Sequence, residues 1–89
     1  MQIDGARILV TGGAGLIGST TIDQLLRKYA PEKILILDNL VRGTPANMES
    51  ALEDARVSFV QGDICDPDTV RRAMAGMDAV IHIDRKSVV

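Results

Sequence analysis

The sequence predicts an α/β fold, a doubly wound parallel sheet of about four strands with helices on both faces. Three observations lead there. Short apolar, β-branched runs alternate with segments of helical spacing, the runs close on Gly, Asp or Asn, and a glycine-dense turn joins the first run to the first helix. Strands that alternate with helices pair in parallel through crossovers that cover the sheet faces.

Residues 6–10 are mostly apolar and lead into Thr11 and two glycines, as a buried parallel strand entering a tight turn does. After Gly18, the apolar residues Ile22, Leu25, Leu26 and Tyr29 fall at i, i+3, i+4 and i+7, one face of an amphipathic helix that Pro31 stops. Residues 34–37 form a second strand that closes on Asp38-Asn39, and residues 57–60 a third that closes on Gly62-Asp63. Between them, residues 43–46 read as loop and 47–54 as a short helix. Asp66 is an N-cap before Pro67, and the helix it opens carries Val70, Ala73, Met74 and Met77 on its apolar face and ends near Gly76. Residues 78–82 are the fourth strand. Met74 and Met77 are expected in the helix core, and Cys65 as a small buried residue.

The composition narrows the function. Eighty-nine residues without repeat, low-complexity tract or linker make one small domain. A net charge of −2 and one Tyr and one Phe offer neither a positive field for a phosphate backbone nor platforms for bases, which argues against a nucleic-acid partner. The apolar runs fall far short of the ~20 residues that cross a bilayer, so no membrane span is expected. Cys65 has no internal partner and the chain opens without a secretory signal, so a cytoplasmic location is expected. No catalytic and no metal-ligating residue is assigned.

The turn Thr11-Gly12-Gly13-Ala14-Gly15-Leu16-Ile17-Gly18-Ser19 carries the strongest chemical signal. Gly12, Gly15 and Gly18 spell GxxGxxG, and Gly13 with the last two also spells GxGxxG. A glycine lets the chain turn without a Cβ clash, Gly15 lets the backbone approach a pyrophosphate, and Gly18 lets the helix pack close to the first strand. The amides that open the helix then face the diphosphate. Asp38 lies twenty residues after Gly18 at the end of the second strand, where its carboxylate accepts hydrogen bonds from the ribose hydroxyls. Strand, glycine turn, helix and acidic strand end together define a partial Rossmann fold that binds a dinucleotide. A carboxylate at Asp38 repels the 2′-phosphate of NADP, so NAD is the expected cofactor. Arg42 could meet such a phosphate, contact the adenosine or face solvent.

With these residues in place, the chain resembles the extended short-chain dehydrogenase/reductase family, and within it the NAD-dependent nucleotide-sugar epimerases and dehydratases. TGGAGLIGS at 11–19, LDNLVRG at 37–43, QGDICD at 61–66 and DAVIH at 78–82 stand in the family's order and spacing. LDNL followed by Arg42-Gly43 is most similar to UDP-glucose 4-epimerase-like members. The resemblance implies that the amides of Leu16 and Ile17 meet the pyrophosphate and that Asp38 and Asn39 lie at the adenosine ribose. It implies that Asp63 bonds the adenine amino group while Ile64 packs against the ring or offers its backbone to it, although Asp63 also suits a turn or cap. Arg42, Gly43 and Ile83 complete the expected cofactor contacts, and His82 is expected to be structural.

Tyr29 and Lys33 spell the YxxxK by which the family places its catalytic tyrosine and lysine on one helical face. Pro31 breaks any helix between them, and the family's pair lies much later in the chain, so no catalytic role is assigned. The resemblance implies a nucleotide-sugar substrate and a homodimer for the full-length protein, with the sugar site and catalytic pair outside this chain. A non-catalytic dinucleotide-binding sensor is the alternative. After Ile83 the family's small residues give way to Asp84-Arg85-Lys86-Ser87-Val88-Val89. Residues 1–83 are therefore expected to be the N-terminal part of an NAD-binding domain, and 84–89 a tail foreign to it.

Overall fold

The computed structural model describes residues 3–12, 15–40 and 44–83, without the side chain of Leu16. Arg42, Gly43 and the 84–89 tail lie outside the described residues. The elements, in chain order, are β1 (Arg7–Thr11), α1 (Leu16–Lys28), β2 (Lys33–Asp38), a 3₁₀ turn (Pro45–Met48), α2 (Glu49–Leu52), β3 (Val57–Gln61), α3 (Pro67–Met74) and β4 (Ala79–His82). The four strands form one parallel sheet in the order β3-β2-β1-β4.

This order follows from the apolar pattern. β1 and β2 occupy the centre, and residues 8–11 and 34–38 are buried without interruption. Alternate side chains point to opposite faces, so each strand contributes to two cores. Ile8, Val10, Ile34 and Ile36 meet Ile22 and Leu25 of α1 together with Met48, Ala51 and Val57. On the other face Leu9, Leu35 and Leu37 meet Ala73 of α3, with Val70 and Met77 packed beside it. The connections that run outward to β2 and β3 thus cover one face, and the reversal from β3 to β4 carries α3 to the other.

The helix ends follow local chemistry. Asp66 caps α3 as its sequence suggests, its side chain accepting the Asp68 amide at 3.1 Å, with Pro67 in the first turn. Gly76, with φ +77°, lies just past the end of α3, where a left-handed residue stops a helix. α1 begins at Leu16, before Gly18 rather than after it, and ends at Lys28.

Four expectations need correction. Tyr29 lies beyond α1 in extended backbone and is 47% exposed, because the approach to Pro31 unwinds the chain before its side chain reaches the core. Met74, the last residue of α3, is 46% exposed, since the helix turns Val70 and Ala73 to the sheet; Met77 lies beyond the helix, past Gly76, and packs against the same core from there. Cys65 is exposed, held in the turn after β3. The short helix begins at Pro45 as a 3₁₀ turn and becomes α-helical only over Glu49–Leu52, because Pro45 suits a first helical position.

Two measurements check this packing. Ile36→Ala, at a fully buried position, is expected to lower the unfolding free energy by about 2–5 kcal/mol in urea titration, against less than about 1 kcal/mol for Val80→Ala on the half-exposed edge. The second concerns the turn into β3, where Arg56 donates to both carboxylate oxygens of Asp54, at 3.0 and 2.7 Å. These bonds pull the Asp54 carboxyl from 3.8 down to about 2. A depressed folded-state value stabilises above the unfolded value and is lost as pH falls through the folded one. The stability difference between the wild type and Asp54→Asn is therefore expected to be constant above about pH 5 and to shrink between about pH 4 and pH 2.

Candidate functional site

Because all four strands run the same way, their carboxyl ends lie on one edge of the sheet, and the loops that leave them converge there. Ligands of open parallel sheets bind on that edge, where the strand order reverses. Here the reversal lies between β1 and β4.

Gly12 leaves β1 with φ +77°, donates its N–H to the Leu37 carbonyl at 2.9 Å and accepts the Gly15 amide at 3.2 Å. A Cβ on Gly12 would stand 2.9 Å from the Ile83 carbonyl oxygen and 3.2 Å from the Ile83 Cβ. Backbone conformation and close approach to the end of β4 therefore each require glycine at this position. Gly15 is the N-cap of α1 at φ −80°, a conformation open to any residue, so its lack of a side chain does not serve the turn itself. α1 has no side-chain cap and no acidic residue in its first turn, which leaves its positive end available to an anion. Gly18 is buried one turn in, and Ile17 is exposed.

Asp38, the last residue of β2, is only 6% exposed. Its Oδ1 accepts the Leu40 amide at 2.7 Å, and its carbonyl accepts the Gly62 amide at 3.1 Å, tying the ends of β2 and β3 together. The turn holds Leu40 at φ +63°, a left-handed conformation that a leucine adopts only under such constraint. Asn39 beside it is exposed. After β3, Asp63 Oδ1 accepts the Cys65 amide at 2.8 Å in a second turn of the same kind, with Ile64 exposed at its apex. The edge thus brings together Gly12, Gly15, Gly18, Asp38, Asn39, Asp63, Ile64 and Ile83, with the backbone of Leu16 and Ile17.

The sequence assigns no site role to Gly62 or Leu40. A Cβ on Gly62 would stand 2.6 Å from Thr69 Cγ2, so this glycine lets β3 end directly against the first turns of α3. The Gly-Asp pair was its visible signal, although the cause is a residue seven positions on. Leu40 gave no signal. Tyr29 and Lys33 lie apart from the site, since Tyr29 follows the end of α1 and Lys33 opens β2 at the amino edge of the sheet.

Gly5 and Gly12 share nearly the same φ, +76° and +77°, but a Cβ on Gly5 would meet nothing within 4 Å. Gly5→Ala is expected to cost about 1–2 kcal/mol of stability from backbone strain alone. Gly12→Ala is expected to cost more, because the Ile83 carbonyl must also move. Parallel urea titrations of the two variants measure the difference.

The family described as NAD dependent epimerase/dehydratase matches residues 8–88. A dTDP-glucose 4,6-dehydratase of Streptomyces niveus is 42% identical over 81 residues, which cover 85% of this chain and 24% of the relative. A UDP-glucose 4-epimerase of Pasteurella multocida is 40% identical over 79 residues, covering 84% and 23%. Among solved structures, UDP-glucose 4-epimerase from Bifidobacterium longum, in complex with NAD+ and UDP, superposes with a TM-score of 0.74 at 32% identity, over 88% of this chain and 24% of that one. The chain therefore spans about a quarter of the length of the relatives it matches. A parallel sheet of this order, with its glycine turn and acidic strand end, agrees with that match along nearly the whole chain, and the chain belongs to the NAD-dependent epimerase/dehydratase family.

Proposed function

We propose that this chain is the cofactor-holding portion of a nucleotide-sugar epimerase or dehydratase and that its carboxyl edge binds NAD. The observation that carries the reading is the coupling of the glycine turn to the buried acidic end of β2, through the bond from the Gly12 amide to the Leu37 carbonyl. It sets a phosphate-binding helix start beside a carboxylate that can take ribose hydroxyls.

In this reading the first amides of α1, at Leu16 and Ile17, receive the pyrophosphate, with Gly15 giving it room. Asp38 and Asn39 hold the adenosine ribose, Asp63 and Ile64 the adenine, and Ile83 lines the passage toward the nicotinamide. By the family resemblance, Arg42 and Gly43 are further cofactor contacts in this reading. NAD, when bound, supplies a hydride acceptor that can return the hydride. The tyrosine and lysine that would move the proton, and the sugar-nucleotide pocket, belong to the longer protein, which we propose is a homodimer. The 89-residue chain holds the cofactor without turning over substrate. Relatives named for dTDP-glucose and UDP-glucose support a nucleoside-diphosphate sugar as the substrate class.

Calorimetric titration of the folded chain with NAD and NADP tests the proposal. NAD is expected to bind more tightly than NADP, and Asp38→Ala to weaken NAD by about tenfold or more while narrowing the preference, since it removes charge-assisted bonds to the ribose. A folded chain that takes up no NAD at millimolar concentration refutes the cofactor site. Tighter binding of NADP than of NAD refutes the role given to Asp38.

A further inference from the structure

The glycine turn is fastened to the sheet where β1 meets β4. Thr11 and His82 are register partners across these strands, and each is the last residue of its own. The Thr11 carbonyl accepts the Ile83 amide at 3.1 Å, a bond any sequence can make. The side chains add one that is specific to these two residues, for Thr11 Oγ1 and His82 Nδ1 lie 2.6 Å apart. Thr11 is 4% exposed, so its hydroxyl needs a partner inside the protein. An imidazole with its proton on Nε2 meets that need by accepting through Nδ1.

The position of this bond gives it consequence. Among the described residues β4, four residues long, pairs with β1 alone, so the Thr11–His82 bond adds to the only ladder that holds its end. One residue beyond Thr11 the chain enters the left-handed turn at Gly12, where there is no room for a Cβ beside Ile83, the residue after His82. A shift of β4 relative to β1 would therefore reach the turn directly.

We propose that His82 is a positioning residue which, through the Thr11 hydroxyl, fixes β4 against β1 and so sets the backbone of Gly12, from which the glycine turn departs. The consequence for NAD affinity rests on the cofactor site proposed above. His82 does not contact the cofactor in this role.

The test compares Thr11→Val, His82→Ala, the double variant and His82→Asn, whose amide oxygen stands in for Nδ1 at the same place on Cγ. Amide hydrogen exchange is read at Gly12 and Gly15, with Ile36 in central β2 as the reporter of global stability, and NAD affinity is read by calorimetry. Each single variant is expected to speed exchange at Gly12 and Gly15 relative to Ile36 and to weaken NAD about 3- to 10-fold. The double variant is expected to be no worse than either single one, because both remove the same bond. His82→Asn is expected to return both readouts to within about 2-fold of wild type.

Exchange that rises at Gly12 only in step with Ile36, additive single effects, or His82→Asn no better than His82→Ala would overturn the proposal. A wild type that binds no NAD, with exchange at Gly12 still raised selectively in both single variants, overturns the cofactor site and upholds the positioning role. Unchanged NAD affinity in His82→Ala, in a wild type that binds NAD, overturns the link from His82 to the cofactor.

Discussion

β1 and β2 have no face that can meet water. Their side chains from Ile8 to Val10 and from Ile34 to Leu37 are apolar on both sides of the sheet, and every one is buried. Two such strands need a helix layer above and another below, and a chain of this length supplies them only from its own connections. α1 and α2 take one face and α3 the other, so the strand order must reverse at β1. The burial demand of two central strands thus fixes the parallel direction, the crossover pattern and the edge on which the loops gather.

That edge is assembled mainly from backbone. Gly12 reaches across to Leu37, Gly62 to Asp38 and Ile83 to Thr11, so each strand end is pinned to its neighbour by a main-chain bond. The side chains that matter there also hold backbone: Asp38 takes the Leu40 amide and Asp63 the Cys65 amide. A left-handed leucine costs on the order of 1–2 kcal/mol, and the structure keeps one beside Asp38. The packing of Leu40 on the α1-side core offsets that strain and holds the carboxylate at the end of β2.

Much of this was legible in the sequence because it is written in local or periodic signals. Continuous apolar runs marked the strands, the Asp66-Pro67 pair marked the start of α3, and the glycine turn with Asp38 marked the edge. What was not legible depends on where neighbours stop. The i, i+3, i+4 spacing that gathers Tyr29 and Met74 with core residues gives the direction of a helix face but not the extent of the layer beneath it. The average behaviour of its residue type places Cys65 in the interior, whereas the Asp63 turn sets it outside. The need for glycine at 62 comes from Thr69, and the conformation of Leu40 comes from Asp38. Neither leaves a trace in hydrophobic period.

The same distinction separates holding a cofactor from using it. Besides the Thr11–His82 pair, engaged across β1 and β4, the groups described at the carboxyl edge are mainly amides, a helix start and carboxylates engaged in turns, which in the proposed reading bind and orient a diphosphate and a ribose. Proton transfer at a sugar carbon needs a side chain with a tuned pKa within reach of the reacting atom. The chain's single tyrosine sits past the far end of α1, and Lys33 stands at the opposite edge from Asp38. In the proposed reading this quarter of the enzyme's length keeps the task of holding the cofactor, and the chemistry is left to the remaining three-quarters. The demands on that task fall on backbone geometry, so the residues that serve it most strictly include Gly12, Gly62 and Thr11, none of which carries a charge.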